Sequence, residues 1–216
     1  PDPDSARLQS DLIFSGDRSV NRLFASQYRW DEREEGLAIL TRYPVVSSES
    51  MILPEAENDG QRRVLIAVLD IDGQRVLAAN THLAFRIDQD ISRLEQSRHL
   101  VKALKTASEF YETQSIILAG DFNAVPQSQA IIEITEGNLH LVDIFADSEE
   151  RINQFTSCSK NTYVNSDDHA DRWIDYIFIS TSLRTRSRSL TLNGKNGAPY
   201  ASDHIALEAD VEIYEK

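Results

Sequence analysis

The run from Val64 to Ile71 is apolar except at Asp70, with no alternation between a dry and a wet face. A strand built from it must be covered on both sides. Asp72-Gly73 follows at once, and Arg75 to Leu83 is again strand-like. Asp-Gly between two such segments marks a tight hairpin, so these two strands are expected to be antiparallel neighbours. Gly36 to Leu40 is a second short apolar run, stopped by Tyr43-Pro44, and it too reads as a central strand.

The period then changes. Leu94, Val101, Leu104 and Tyr111 fall on one helical face, and Ser92-Arg93-Leu94-Glu95 has the form of a capping box, which predicts a helix from about Ser92 to about Tyr111. Ser115 to Ala119 reads as a buried strand ending at Gly120, and Gln127 to Glu136 as a short helix entered from Pro126. Asp143 to Arg172 is polar, acidic and aperiodic, long for a loop and therefore expected to be functional. Its Phe155 to Arg172 portion is the candidate specificity loop. Trp173 to Ser180 and Ile205 to Ile213 read as late strands, the second alternating apolar with polar. Without repeats, low-complexity tracts or a Gly/Ser linker, the expectation is a single domain over residues 1–216.

Lys and Arg number 22 against 35 Asp and Glu, a formal charge of −13. Bulk electrostatics of this sign repel polyanions, so stable binding to duplex DNA is not expected. One cysteine, Cys158, excludes an intramolecular disulfide framework and an all-thiolate zinc site, and fits a reducing, cytoplasmic compartment. No stretch nears the roughly 18 apolar residues of a membrane span, so a soluble protein is expected. The start, Pro1-Asp2-Pro3-Asp4, has neither the basic nor the apolar region of a signal peptide.

Polar groups gather where strands end, the usual place for a site in a mixed α/β domain. They are Asn80 and His82, Asp121 and Asn123, Asp175, and Asp203 with His204. Carboxylates with few soft ligands suit a hard divalent cation, Mg²⁺ or Mn²⁺, with Asp121 and Asp203 as its ligands. His204, oriented by Asp175, could take a proton from a water attacking phosphorus in line. Asn80 and Asn123 can donate to phosphate oxygens without adding repulsive charge, and His82 is a further donor toward the transition state. His99, His140 and His169 have no convergent partners in sequence and read as structural, and Cys158 reads as a loop or partly buried thiol.

Taken in order, Gly36-Leu37-Ala38-Ile39-Leu40-Thr41-Arg42-Tyr43-Pro44, Asn80-Thr81-His82-Leu83, Gly120-Asp121-Phe122-Asn123, Trp173-Ile174-Asp175-Tyr176-Ile177-Phe178 and Ser202-Asp203-His204 resemble the signatures of the endonuclease/exonuclease/phosphatase superfamily. The resemblance implies a deoxyribonuclease I-like α/β fold: a two-sheet mixed β-sandwich flanked by helices in four layers. It implies Mg²⁺-dependent cleavage of a phosphodiester or phosphomonoester. In that scheme Asp121 and Asn123 position nucleophile or phosphate, Asp203 helps hold metal, His204 and Asp175 form the acid/base dyad, and His82 stabilises the phosphoryl group. Phe122-Asn123-Ala124-Val125-Pro126 looks more like the phosphatase, sphingomyelinase and deadenylase branches. The implied substrate is a nucleic acid, a phospholipid head group or a phosphorylated small molecule.

Two family strands, one ending in Gln-Glu with the principal metal-binding Glu, find no counterpart before Gly36. Glu34 and Glu35 lie too close to Gly36 to replace that Glu. The resemblance therefore implies an N-terminally incomplete fold with an exposed sheet edge open to self-association. The rival expectation is a catalytically impaired binding or assembly module with the same fold.

Overall fold

The hairpin forms as its sequence requires. β4 (Arg63–Ile71) and β5 (Gln74–His82) pair antiparallel from Ile71 opposite Gln74 to Val64 opposite Thr81. Asp72 (φ 53°) and Gly73 (φ 86°) make the turn, both in the left-handed region that a two-residue hairpin of this twist needs. The structure, a computed structural model, describes residues 17, 19–30, 33–164, 170–195 and 199–214. His169 and the Pro1-Asp2-Pro3-Asp4 start lie outside the described residues.

Around this hairpin stands a mixed six-stranded sheet in the order β3-β4-β5-β6-β8-β7. Its other members are β3 (Val45–Ile52), β6 (Ser115–Asp121), β7 (Val142–Asp143) and β8 (Asp175–Ile179). β6 joins β5 in parallel, through a crossover made by helix α1 (Asp90–Phe110), and α2 (Gln129–Glu136) packs beside α1. The helix-facing side of the sheet is dry: Val64, Ile66, Val68, Leu77, Leu118 and Phe178 meet Leu100, Leu104 and Ile134 in one core. Phe122 stands edge-on to both Tyr176 and Phe178, with centroids 5.6 and 5.2 Å away.

The opposite face carries two separate hairpins, β1 (Asn21–Trp30) with β2 (Arg33–Thr41), and β9 (Leu183–Thr191) with β10 (Ala206–Ile213). The first lies over β3, β4 and β5, and the second lies against β8. Between them runs a groove floored by Ile117, Ala119 and Ile177 and walled by Tyr43, Val211 and Ile213. β2, expected in the centre of a sheet, pairs with β1 alone among the described residues, and only Leu37 of its apolar run is buried, against Ala25 and Leu65. β1, β3 and β9 are not evident from sequence. Each is a partly solvated edge or hairpin strand whose pattern carries serines and charges, as in Leu183-Arg184-Thr185-Arg186-Ser187-Arg188.

The expected capping box at Ser92 is not used. Helix α1 begins at Asp90, its N-cap Gln89 makes no side-chain cap bond, and Ser92 lies inside the first turn. Buried Arg93 does the equivalent work from within. Its guanidinium donates to the carbonyls of Ala84, Arg86 and Ile87 at 2.6–3.2 Å and to Asp90, tying the helix start to the loop after β5. The buried face is centred on Ser97, Leu100, Val101, Leu104 and Ala107, and Leu94 and Tyr111 sit at its margins.

The described residues of the Asp143 to Arg172 stretch, which leave out 165–169 of the candidate specificity loop, hold more regular structure than their composition suggests. They contain β7 and α3 (Glu149–Asn153), whose Arg151 pairs with Asp143 and lies over the rings of Trp173 and Tyr176. Among the described residues no helix is long and apolar enough to cross a membrane. Leu104 is fully buried and Ile91 is 80% exposed on the same helix. Leu104→Ala should therefore cost about 2–5 kcal/mol in urea unfolding, whereas Ile91→Ala should stay within about 0.5 kcal/mol.

Candidate active site

Sheet register alone assembles the heart of the site. Parallel pairing sets His82 opposite Asp121, and antiparallel pairing sets Asp121 opposite Asp175. Residues opposite one another share a face, so the three side chains emerge abreast at one end of the sheet. Gly120 permits this approach. Its φ is +148°, and a Cβ there would lie 2.0 Å from the Thr81 carbonyl oxygen, so any other residue would lever β6 away from β5 one step before Asp121. Beyond the strand Asn123, at φ 49°, donates its backbone N–H to Asp121 Oδ1 at 2.8 Å. Asn is among the few residues that occupy this left-handed region readily.

His204 is delivered by the segment expected to be a loop. The Thr156 hydroxyl oxygen accepts from the amides of Ile174 and Asp175 at 3.0 and 3.1 Å, and the Thr156 carbonyl accepts from Ile205 at 2.7 Å. Ser157 bridges to both Arg172 and His204. One turn of chain thus fixes both partners, and His204 Nδ1 donates to Asp175 Oδ2 at 2.8 Å. His82 Nε2 lies 3.6 Å from Asp121 Oδ2.

The electrostatics divide the two histidines. Burial, assisted by the Arg62 guanidinium and by His204, pushes His82 down to about 3, so it stands neutral. Burial also works against the charged form of His204, yet its hydrogen bond to Asp175 and the charges of Asp175, Asp121 and Asp203 raise it to about 9. Burial and the neighbouring Asp175 push Asp121 up. Asp121, Asp175 and His204 present ligand atoms all within 4.8 Å of one another. Two carboxylates and an imidazole forced this close suit a divalent cation, which would relieve the repulsion that raises Asp121.

The other expected residues are placed as follows. Asn123 is buried and lines the cavity, its Nδ2 donating to the Leu83 carbonyl at 3.2 Å. Asn80 is outside the cavity lining, and its Nδ2 donates to the Ala38 carbonyl at 3.0 Å, fastening β5 to β2. Asp203 is exposed, accepts from the Ser202 hydroxyl at 2.9 Å, and stands outside the Asp121-Asp175-His204 group. His99 and His140 are exposed and away from the cavity, and Cys158 is buried.

The cavity, about 520 Å³, adds residues that the sequence did not single out: Gln27, Tyr28, Glu35, Asn58, Arg62 and Phe85. Glu35, set aside for its closeness to Gly36, brings Oε1 to 3.9 Å from His82 Nδ1. Its signal is the alternation of β2, which sets Glu35 on the face of Leu37 and Ile39, where it lines the cavity half exposed. Arg62 is buried and bound to Asp59, with Nη2 to Oδ1 at 2.6 Å.

A model of the endonuclease/exonuclease/phosphatase family matches residues 2–204. The chain is 27% identical over 165 residues to carbon catabolite repressor protein 4 homolog 4 of Arabidopsis thaliana, a match covering 64% of this chain and 38% of that protein. It is 25% identical over 177 residues to a probable CCR4-Not complex 3′-5′-exoribonuclease subunit Ccr4 of Vairimorpha ceranae, covering 69% of this chain and 35% of that one. The chain thus spans little more than a third of the length of these curated relatives. Among solved structures, the human Nocturnin catalytic domain superposes with a TM-score of 0.70 at 19% identity, covering 94% of this chain and 78% of that chain. Mannosyl-6-phosphatase of Bacteroides thetaiotaomicron gives 0.71 at 17%, covering 95% and 81%. TDP2 of D. rerio, solved with a single-strand DNA product, gives 0.71 at 18%, covering 96% and 83%. These likenesses show a shared mixed α+β fold.

Replacing Asp175 by Asn removes the carboxylate that raises His204. In the metal-free protein the His204 titration, followed by NMR, should fall from about 9 toward the ordinary histidine value. A midpoint unchanged in Asp175→Asn would show that the pair is not coupled.

Proposed function

Because this chain belongs to the endonuclease/exonuclease/phosphatase family, we propose that it is a divalent-metal-dependent hydrolase that breaks a phosphodiester or phosphomonoester bond by attack of a water activated at His204 and Asp175. The observation that carries this reading is the side-by-side placement of His82, Asp121 and Asp175 on three strand ends, with His204 hydrogen-bonded to Asp175 in the same cluster.

Asp175 occupies Nδ1 of His204 and leaves Nε2 for the reaction, fixing both the tautomer and the ring plane. In its neutral form, which a cation held by Asp121 and Asp175 would favour by offsetting the carboxylates that raise His204, the imidazole takes at Nε2 the proton of the attacking water, and the same dyad returns a proton to the leaving oxygen. His82, neutral, donates one hydrogen bond to a phosphoryl oxygen rather than adding a full charge. Asn123 offers its remaining amide N–H to the same group, and Arg62 lends positive charge to an anion entering the cavity. Asp121, with Asp175 beside it, would hold Mg²⁺ or Mn²⁺, and Asp203 is proposed as a further ligand from its exposed position next to His204. Such a cation, when bound, would polarise a phosphoryl oxygen and neutralise developing charge.

Hydrolysis of single-stranded nucleic acid, a phosphoinositol and a simple phosphodiester in Mg²⁺ and in Mn²⁺ tests the proposal. His204→Ala should lower kcat by about 10²–10⁴-fold. Asp121→Asn should weaken Mn²⁺ binding measured by calorimetry, a readout that needs no turnover. Cation binding by the unaltered chain with no hydrolysis of any phosphoester would overturn the hydrolase and favour the binding-module reading.

Self-association belongs to the same proposal. β2 and β10 each leave one edge unpaired among the described residues, and unpaired edges recruit further strands. Sedimentation at rising concentration should reveal a dimer. A monomer throughout would remove the idea.

A further inference from the structure

The cavity is larger than a phosphate group needs, and its outer wall has its own chemistry. About 520 Å³ is within the range of sites for whole small-molecule ligands. Beyond His82, Asp121, Asn123 and His204 the wall is drawn from β1 (Gln27, Tyr28), β2 (Glu35), the loop before β4 (Asn58 to Arg62) and the loop after β5 (Phe85).

Tyr28 and Phe85 are each 50% exposed, an unusual state for two large rings beside one cavity. Neither is a loose surface side chain. Tyr28 lies against Gly60, where a Cβ would meet its ring at 3.0 Å, and Gly60 is at φ +66°. Phe85 has its backbone N–H on Asp59 Oδ2 at 3.1 Å, and the guanidinium carbons of Arg62 and Arg86 lie 5.7 and 5.4 Å from its ring centroid. Arg86 is held by the Asn58 carbonyl at 3.2 Å. Rigid aromatic faces flanked by cations are what stacked bases use in single-stranded nucleic-acid sites.

Gln27 supplies the polar half of the wall. It is 7% exposed, its Nε2 donates to the His82 carbonyl at 3.4 Å, and its Oε1 has no hydrogen-bond partner. That oxygen is closed to solvent, so Gln27 braces the wall from behind, tying β1 to the end of β5. Asp59 beside the rings is committed to Arg62 and to the Phe85 amide, and Glu35 lies toward His82.

We propose that Tyr28 and Phe85, flanked by Arg62 and Arg86, form a subsite for a planar nitrogenous base, so that the phosphoester presented to His82, Asp121 and His204 belongs to a nucleotide or to the end of a single-stranded nucleic acid. This rests on the phosphoester-hydrolase reading for its substrate, though the subsite itself can be read by binding alone. Phosphate contacts are sequence-blind, whereas the base adds stacking area.

Two measurements separate the subsite from the chemistry. With Mn²⁺, kcat/KM on a single-stranded oligoadenylate should exceed that on its abasic counterpart by at least about tenfold. Phe85→Ala and Tyr28→Ala should each collapse that ratio about five-fold or more, and Phe85→Trp should restore it. Equal rates on the two strands, or a preference for inositol phosphate indifferent to both rings, would overturn the base subsite while leaving the hydrolase intact. Absence of all hydrolysis would instead strike the reading on which the substrate rests. In the second measurement, on His204→Ala, AMP should bind at least about tenfold more tightly than ribose 5-phosphate, with the difference lost in the added Phe85→Ala change. Equal affinities would refute the subsite whether or not the chain turns over. Circular dichroism of each variant guards against misfolding, which half-exposed positions such as these tolerate well.

Discussion

Everything in the site depends on how closely β6 can approach β5. Parallel strands bring like ends together, and only a residue without a Cβ fits under the Thr81 carbonyl at position 120. With that contact made, backbone hydrogen bonding carries Asp121 to His82 on one side and to Asp175 on the other. These three side chains are thus positioned by ladder geometry rather than by flexible loops, the kind of placement that favours precision at a site. The fourth, His204, is placed by the Thr156 and Ser157 contacts that also hold the start of β8.

Much of this was legible in the sequence because it is local. The doubly apolar run from Val64, the Asp72-Gly73 turn and the strand-end positions of His82, Asp121 and Asp175 each follow from the order of residues. Pairings made at a distance were not. Arg93 looks like part of a polar first turn, yet three loop carbonyls six to nine residues away draw it into the interior. Thr156 has no motif around it, and its value comes from two amides eighteen and nineteen residues on. Glu35 was set aside on chain distance from Gly36, whereas its relation to His82 is set by packing of one layer upon another. Edge strands such as β9 escaped because a solvated strand lacks the hydrophobic alternation by which strands are read.

The same fold is shared with structures described as a phosphatase of mannosyl phosphate and as a protein holding a single-strand DNA product. Around the Asp121-Asp175-His204 cluster the cavity wall comes from four stretches: β1, β2 and, joined to each other, the loop before β4 and the loop after β5. The two loops meet through Asp59, which binds Arg62 from one side and the Phe85 amide from the other.

Arg93 gives that meeting point an energetic character. Because its guanidinium gathers the carbonyls of residues 84, 86 and 87 onto the first turn of α1, the loop bearing Phe85 cannot open without disturbing a 21-residue helix. Amides of that loop are therefore expected to exchange with solvent only as the helix start itself opens, sharing one protection factor with it. The cavity wall behaves as an extension of the hydrophobic core: little motional freedom remains for an arriving ligand to freeze out.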